Sequence, residues 1–392
     1  MSDAVLVLNA GSSSTKFGLF DISESAPRLL CKGLLDEHQA KPVFSVTDPA
    51  GNHLFERRAS SDNDGDALIA DILHWSNDYL AGSKLAAIGH RVVHGGHNFR
   101  QPTKVTDKNL EAMAALTPLA PLHQPRCLFS IRVIKSLRSD LTQIACFDTA
   151  FHHSIAPPVS RFAIPRRFDD IGVRRYGFHG LSFEFIASRL KEISPALAGK
   201  RTVTAHLGNG ASLCAMRYGR SVDTTMGLTP LDGLMMGTRS GAIDPGVLLY
   251  LQQCGMSLDD LQHMLYLESG LLGVSGISAD TRELLVSDDS RAAEAIELFT
   301  FRIAREAAAM TNTLGGLECL VFTGGIGERS SEIRQQVCEQ LKWLGVQIDH
   351  SANDRGDECI STEGSRIDVR VIPTSEELVI ARHCSRLLRA VR

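Results

Sequence analysis

Short runs of β-branched and aliphatic residues recur along this chain, and each stops at a cluster of small or polar residues. Val5-Leu6-Val7-Leu8 runs into Asn9-Ala10-Gly11-Ser12-Ser13-Ser14, and Ile144-Ala145-Cys146-Phe147 into Asp148-Thr149. Thr202-Val203-Thr204-Ala205 runs into His206-Leu207-Gly208-Asn209-Gly210, Leu320-Val321-Phe322 into Thr323-Gly324-Gly325, and Val369-Arg370-Val371-Ile372 into Pro373-Thr374. Apolar runs this short read as buried strands that alternate with helices. The pattern predicts an α/β fold whose functional loops lie at the carboxyl ends of strands.

Helical periodicity supports the alternation. In Arg291–Leu314, Ile296, Phe299, Ile303, Ala307 and Met310 fall on one face, and Gly315 suits the left-handed position after the last turn. Ile333, Val337, Leu341 and Leu344 form a second stripe over Ser331–Leu344, ended by Gly345. Thr374 and Glu377 have capping-box spacing at the start of a last helix. Single cores stop growing near ~250–300 residues, so 392 residues predict two domains. Pro157-Pro158 and Pro165 place a boundary near 150–165. Asn9 and Asn209 each follow a strand in a small-residue turn, an echo of two similar halves. Ala59–Asp66 reads as a surface loop.

With 41 basic against 45 acidic residues the net charge is −4, which leaves no broad basic surface for nucleic acid or an anionic membrane. At 43% hydrophobic and 22% charged the chain is not a disordered one. No apolar run approaches the ~18–20 residues of a membrane span, and Ala4–Leu8 is too short for a signal segment. Nine cysteines without a C-x-x-C pair read as reduced thiols, so a soluble cytoplasmic protein is expected.

Three turns stand where backbone N–H groups can approach a phosphate: Asn9–Ser14 with Lys16, His206–Gly210, and Gly324–Glu328. Any one alone is better explained as a tight turn; three after strands favour a nucleotide between two domains. Neither a P-loop nor a G-x-G-x-x-G fingerprint is present. Arg91 in Gly89–Gly96 and Arg239 in Met236–Gly241 put planar forks beside glycines, suited to carboxylate or phosphate. Phosphoryl transfer needs such cations, though two surface arginines are the plain alternative. His179 can donate to the same oxygens or serve only in structure. Asp148 ends a buried strand, where a lone charge is costly; it pairs with a cation, carries a proton, or serves as an N-cap. Glu376 is either functional or a first-turn acid facing the helix dipole. His90, His94, His97, His123, His152 and His153 raise a zinc hydrolase as a competitor, but no H-E-x-x-H spacing occurs.

Taken together, these stretches resemble the acetate kinases of the acetate and sugar kinase/heat-shock/actin superfamily. The resemblance rests on Val7–Ser14, Gly89–Gly96, Ala120–His123, Phe147–His152, Tyr176–Gly180, His206–Gly210, Asp223–Gly241, Phe322–Glu328 and Ile372–Ile380, in family order along the whole chain. It implies two duplicated ribonuclease-H-like (actin-like ATPase) domains with an interdomain cleft: 1–150 plus 377–392, and a nucleotide-binding and dimerisation domain over 151–376. It also implies a homodimer, and Mg²⁺-dependent (or Mn²⁺-dependent) in-line transfer from ATP to acetate, giving ADP and acetyl phosphate.

Carried over by position, Asn9 and Glu376 match the magnesium-holding residues, partly through water, and Lys16 the lysine near the ATP phosphates. Arg91 matches the carboxylate-binding arginine, Asp148 the catalytic acid, and His179 and Arg239 the pair that stabilises the transition state. His206, Leu207, Gly208, Asn209 and Gly210 resemble the phosphate loop. Asp280, Thr281 and Arg282, with Gly324, Gly325, Ile326, Gly327 and Glu328, match adenosine-binding segments. Val93, Leu122, Phe178 and Pro230 match the acyl pocket; Val93 stands where propionate-preferring relatives tend to have Ala, which favours a short acyl group. Ser375, Thr281 and Arg329 depart from the family pattern. A propionate or butyrate kinase, and a nucleotide-binding scaffold that transfers nothing, are the competing readings; the scaffold has no need of Arg91, His179 and Arg239 together.

Overall fold

The computed structural model describes residues 3–11, 14–36, 42–58 and 65–390. Ser12 and Ser13 of the first turn, and residues 59–64 of the expected surface loop, lie outside these. The chain divides into two compact units, Met1–Ala150 with Ser375–Arg392, and Phe151–Thr374. Glu376 therefore belongs to the first.

The first unit is built on one sheet of β1 (Asp3–Ala10), β2 (Ser14–Asp21), β3 (Arg28–Asp36), β4 (Val43–Thr47), β5 (His53–Arg58), β6 (Lys84–Val92), β7 (Thr103–Lys104) and β8 (Thr142–Phe147), in the order β5-β4-β3-β2-β1-β6-β8-β7. The second unit holds β9 (Thr202–Leu207), β10 (Ala211–Arg217), β11 (Arg220–Thr224), β12 (Cys319–Thr323) and β13 (Asp368–Val371), in the order β11-β10-β9-β12-β13. In each, three consecutive strands form an antiparallel meander, and later strands join the first one in parallel. One topology is thus used twice, β1, β2, β3, β6, β8 corresponding to β9, β10, β11, β12, β13.

The five runs that read as strands are strands, but simple alternation with helices is not the plan. Antiparallel hairpins follow β1 and β9, because their connecting loops are too short to hold a crossover helix. Asn9 accordingly lies inside β1, opposite Lys16, and not in a turn. Counted back from the last pair of each hairpin, Ala10↔Thr15 and Leu207↔Ala211, the counterpart of Asn9 is His206. The duplication is real; the Asn9–Asn209 echo is not its register.

Each sheet is covered by apolar helix faces. In the first unit Leu68, Ile72 and Leu73 of the helix Gly65–Leu80 pack on Leu6, Phe17, Leu19 and Phe44. On the opposite face a Cβ at Gly89 would lie 2.5 Å from Ile380 and 2.7 Å from Cys384, so glycine there lets the helix Glu376–Ala390 approach the sheet. In the second, Phe183, Ile186 and Leu190 of the helix Gly180–Ile193 cover Cys214, Met216 and Val321. The helix Ser290–Leu314 buries the predicted stripe and ends at Gly315, φ 71°. Full burial of each such side chain contributes roughly 1.5–3 kcal/mol. The helix expected over 331–344 stops at Gln340; a 3₁₀ turn, Lys342–Leu344, carries the chain to Gly345, φ 99°.

Candidate active site

In the first unit, β1, β6, β8 and the last helix bring Asn9, Arg91, Asp148 and Glu376 together. β6 and β8 run parallel, with Arg91 beside Cys146, so Asp148 emerges one step past the end of β8 next to the arginine. Arg91 Nε donates to both Asp148 oxygens at 3.1 Å and Nη2 to Oδ2 at 2.6 Å; Nη1 donates to the Ala10 carbonyl at 3.3 Å. Glu376 Oε2 lies 3.9 Å from Arg91 Nε. Asp148 is fully buried. Burial alone would lower the arginine's pKa, but the Asp148 and Glu376 carboxylates hold it above its ordinary value.

Asn9 Nδ2 donates to Glu376 Oε2 at 2.9 Å and to Glu377 Oε1 at 2.8 Å. Glu377 is a member that sequence reasoning missed. Its spacing from Thr374 predicts a capping box, but the buried Thr374 hydroxyl has no hydrogen-bond partner and Glu377 turns to Asn9 instead. Amide and carboxylate oxygens are hard donors, a set that suits Mg²⁺, which keeps water and substrate phosphates among its ligands. Lys16 is exposed on β2. Val93 is buried, and the chain is pinned directly after it. Gln124 bridges the backbone N–H and carbonyl of His94 at 3.0 Å each, and Thr149 Oγ1 accepts from Gly95 N–H at 3.0 Å. Gln124, buried at a helix start, is a second residue the sequence did not signal. Leu122 is 40% exposed.

In the second unit His179 precedes the helix Gly180–Ile193 with a left-handed backbone, φ 55°. Its Nδ1 is 2.9 Å from Ser212 Oγ, and its ring stacks on His206 at 4.3 Å. His206 Nδ1 is in turn 2.8 Å from Ser182 Oγ. Arg239 Nη1 donates to the Pro230 carbonyl at 2.9 Å. A Cβ at Gly210 would lie 2.8 Å from Arg239 Nη2 and 3.3 Å from His179 Nε2, so both donors converge beside this glycine. The loop bearing Arg239 is tied to the turn by Gly237 N–H, which donates to the Asn209 carbonyl at 3.2 Å. Phe178 is buried directly before His179.

The Gly324–Glu328 segment opens a short helix at the end of β12, packed against the Leu207 carbonyl through Gly324, φ 78°. Gly208 comes close to it, its Cβ position 3.9 Å from the Gly325 N. Within it Glu328 faces inward: Oε1 accepts from Gly324 N–H at 2.9 Å and Thr374 N–H at 3.0 Å. Asp280 caps the helix Thr281–Leu285 and pairs with Arg282, which holds its carboxyl below the usual range; Thr281 is buried.

A zinc site finds no support in this arrangement. Among the described residues no three His, Cys, Asp or Glu side chains gather in a way that could hold a metal ion. His94 is buried and accepts from Gly96 N–H, while His97 is exposed beside Arg100. Among the described residues, too, no helix is long and apolar enough to cross a membrane.

The acetokinase family model matches residues 4–382. An acetate kinase of Rhodopseudomonas palustris (strain TIE-1) is 50% identical over 393 residues, covering 99% of each chain. The crystal structure of a propionate kinase from Francisella tularensis subsp. tularensis SCHU S4 superimposes with a TM-score of 0.88 at 37% identity, covering 97% of this chain and 98% of that one. That of Porphyromonas gingivalis acetate kinase gives 0.84 at 35%, covering all of both. These are actin-like ATPase folds, as the strand order of each unit here requires. A full-length family match and a 50% identical relative agree with the site's geometry, and the chain belongs to the acetokinase family.

Proposed function

We propose that this protein is an acetate kinase, transferring the γ-phosphoryl group of ATP to acetate and back by direct in-line displacement. The observation that carries the reading is the convergence of Arg239 and His179, two donors, beside Gly210. Such a site neutralises charge on a transferring phosphoryl group, as direct transfer requires. Arg91 binds the acetate carboxylate, and Asp148 orients that guanidinium by its bidentate pair. Glu376 and Asn9 would hold Mg²⁺ (Mn²⁺ would also suit them), which would supply positive charge against the phosphates. His206–Gly210 with Lys16 serves the phosphates, and Asp280–Arg282 with Gly324–Glu328 the adenosine.

By their positions in the family pattern, Val93, Leu122, Phe178 and Pro230 are the residues assigned to the acyl methyl. One methylene in an apolar pocket discriminates by about 1–3 kcal/mol, so propionate is turned over at reduced efficiency. ATP-dependent hydroxamate formation from acetate and hydroxylamine tests the activity. A kcat/KM series from C2 to C4 carboxylates tests the preference; a maximum at propionate would make it a propionate kinase, and silence with all of them would refute the reading.

The enzyme works as a cytoplasmic homodimer. The helix Pro245–Gln253 buries none of its residues, and Leu249, Tyr250, Leu258 and Val286 are more than 60% exposed in the second unit, a face that suits a second copy. Equilibrium sedimentation measures it.

A further inference from the structure

None of the roles above uses His152. It sits in the 3₁₀ turn Ala150–Ser154, 1% exposed, with Phe151 and Phe183 edge-on to its ring at 5.8 and 5.6 Å. Its partners fix its tautomer. The Phe178 carbonyl, 2.9 Å from Nε2, can only accept, so Nε2 carries the proton. Nδ1 then accepts from Ser221 Oγ–H at 2.8 Å, and Ser221 Oγ accepts from the Cys214 thiol at 3.4 Å. A buried, one-directional chain of donors ends on the carbonyl just before His179.

That carbonyl lies between two left-handed residues, Gly177 at φ 75° and His179 at φ 55°. For a residue with a Cβ this conformation is strained and persists only where surrounding contacts hold it. His179 has no side-chain cap at its helix start to do so. His152 touches this segment at two points, the Phe178 carbonyl and Gly177. The ring lies so close to Gly177 that a Cβ there would come within 2.7 Å of its Cδ2. Burial pushes the pKa of His152 down to about 4, which keeps the ring neutral and its donor and acceptor sides distinct near neutral pH.

We propose that His152 is a positioning residue: by holding the Phe178 carbonyl it fixes the left-handed backbone at His179 and so aims the His179 ring at the transferring phosphoryl group. The inference rests on the role given to His179 above. Buried core packing alone would need the ring's volume; positioning needs its Nε2 donor, and this difference is measurable.

His152→Phe keeps the volume without the donor, and His152→Gln keeps a donor near the Nε2 position. With MgATP and acetate, kcat of His152→Phe should fall about 30-fold or more while both KM values stay within about threefold, and His152→Gln should stay within about fivefold of the parent. In a His179→Ala background the Phe substitution should cost less than about threefold more, because nothing remains to be aimed. Phe as active as Gln, or losses that multiply in the double variant, would overturn the proposal. Should His152→Phe fail to fold, Ser221→Ala tests the same chain: a loss of about three- to tenfold that vanishes in the His179→Ala background supports it, and an equal loss in both overturns it. A parent enzyme without ATP-dependent activity would remove the functional reading itself. An active parent, an impaired His179→Ala and an unimpaired His152→Phe would remove the positioning role alone.

Discussion

The two units build their polar clusters by different chemistry. In the first, charge is set against charge: Arg91, Asp148 and Glu376 lie together, with Asn9 linking Glu376 to Glu377. In the second, the imidazoles have neutral partners, hydroxyls from Ser212 and Ser182 and each other's faces. A buried ion pair that loses one member strands the other, which costs far more than the pair contributes. Neutral hydrogen bonds carry no such debt. Activity and stability should therefore be inseparable in the first unit and separable in the second.

The largest effect belongs to the second unit. Arg239→Ala should lower kcat by about 10³-fold or more, by analogy with arginines that stabilise a transferring phosphoryl group, while the melting temperature moves by no more than about 2 °C. A drop below tenfold would remove Arg239 from the chemistry, and a large melting shift would erase the contrast between the units. In the first unit Asp148→Ala should also destroy activity, but with a loss of about 3–5 kcal/mol in denaturant stability from the stranded Arg91 guanidinium. Unchanged stability there would mean that the buried pair is not structural, and that both units work alike.

Much of this contrast is legible in the sequence. The glycine-flanked arginines and the strand-ending Asp148 announce themselves because a charge at the end of an apolar run needs an explanation. What the sequence hides is which partner a side chain chooses. Glu377 fits a capping box by spacing, yet Asn9, from the far end of the chain, recruits it. Glu328 fits a nucleotide-binding turn, yet its carboxylate accepts from Gly324 and Thr374. Asn9 reads as a turn residue because Gly11 and the serines come after it, but its pairing with Lys16 depends on a hairpin that apolar periodicity does not encode. Family resemblance supplies roles where the local pattern stops. It does not supply the tautomer of His152 or the bridge made by Gln124.

Acid sensitivity should not distinguish the units, and this limits the contrast usefully. His90 in β6 and His152 in the second unit are both buried, and burial pushes each pKa down to about 4. The unfolded chain takes up these protons near pH 6.5, the folded chain only near 4. Stability is therefore full above about pH 6.5 and declines as pH falls toward 4, by on the order of 3 kcal/mol for each histidine. The His90 ring nitrogens make no well-formed hydrogen bond, Gln143 being the polar side chain set against them, so His90→Leu should flatten the decline between pH 7 and 5 while losing only that weak contact. A slope as steep as the parent's would show that the ring reaches water or a partner in solution.

The smallest effect tests the close approach at Gly210. Its backbone is not left-handed, so alanine brings no dihedral strain; what the new Cβ meets is the end of the Arg239 side chain at 2.8 Å and the His179 ring at 3.3 Å. A flexible guanidinium can yield by a few tenths of an ångström at little cost in stability, but the convergence of the two donors is then lost. Gly210→Ala should lower kcat about tenfold, equivalent to ~1.4 kcal/mol of barrier, with melting almost unchanged. The first-unit glycine to set beside it is Gly95, where a Cβ would come within 2.4 Å of the Phe99 carbonyl oxygen. Backbone cannot step aside as a side-chain end can, so Gly95→Ala should cost about 1–3 kcal/mol of stability, and activity should fall with it because Thr149 and Gln124 pin the same loop. If Gly210→Ala unfolds the protein as readily as Gly95→Ala while leaving kcat intact, the turn at 208–210 serves packing, and the pair of donors beside it meets by coincidence of the fold.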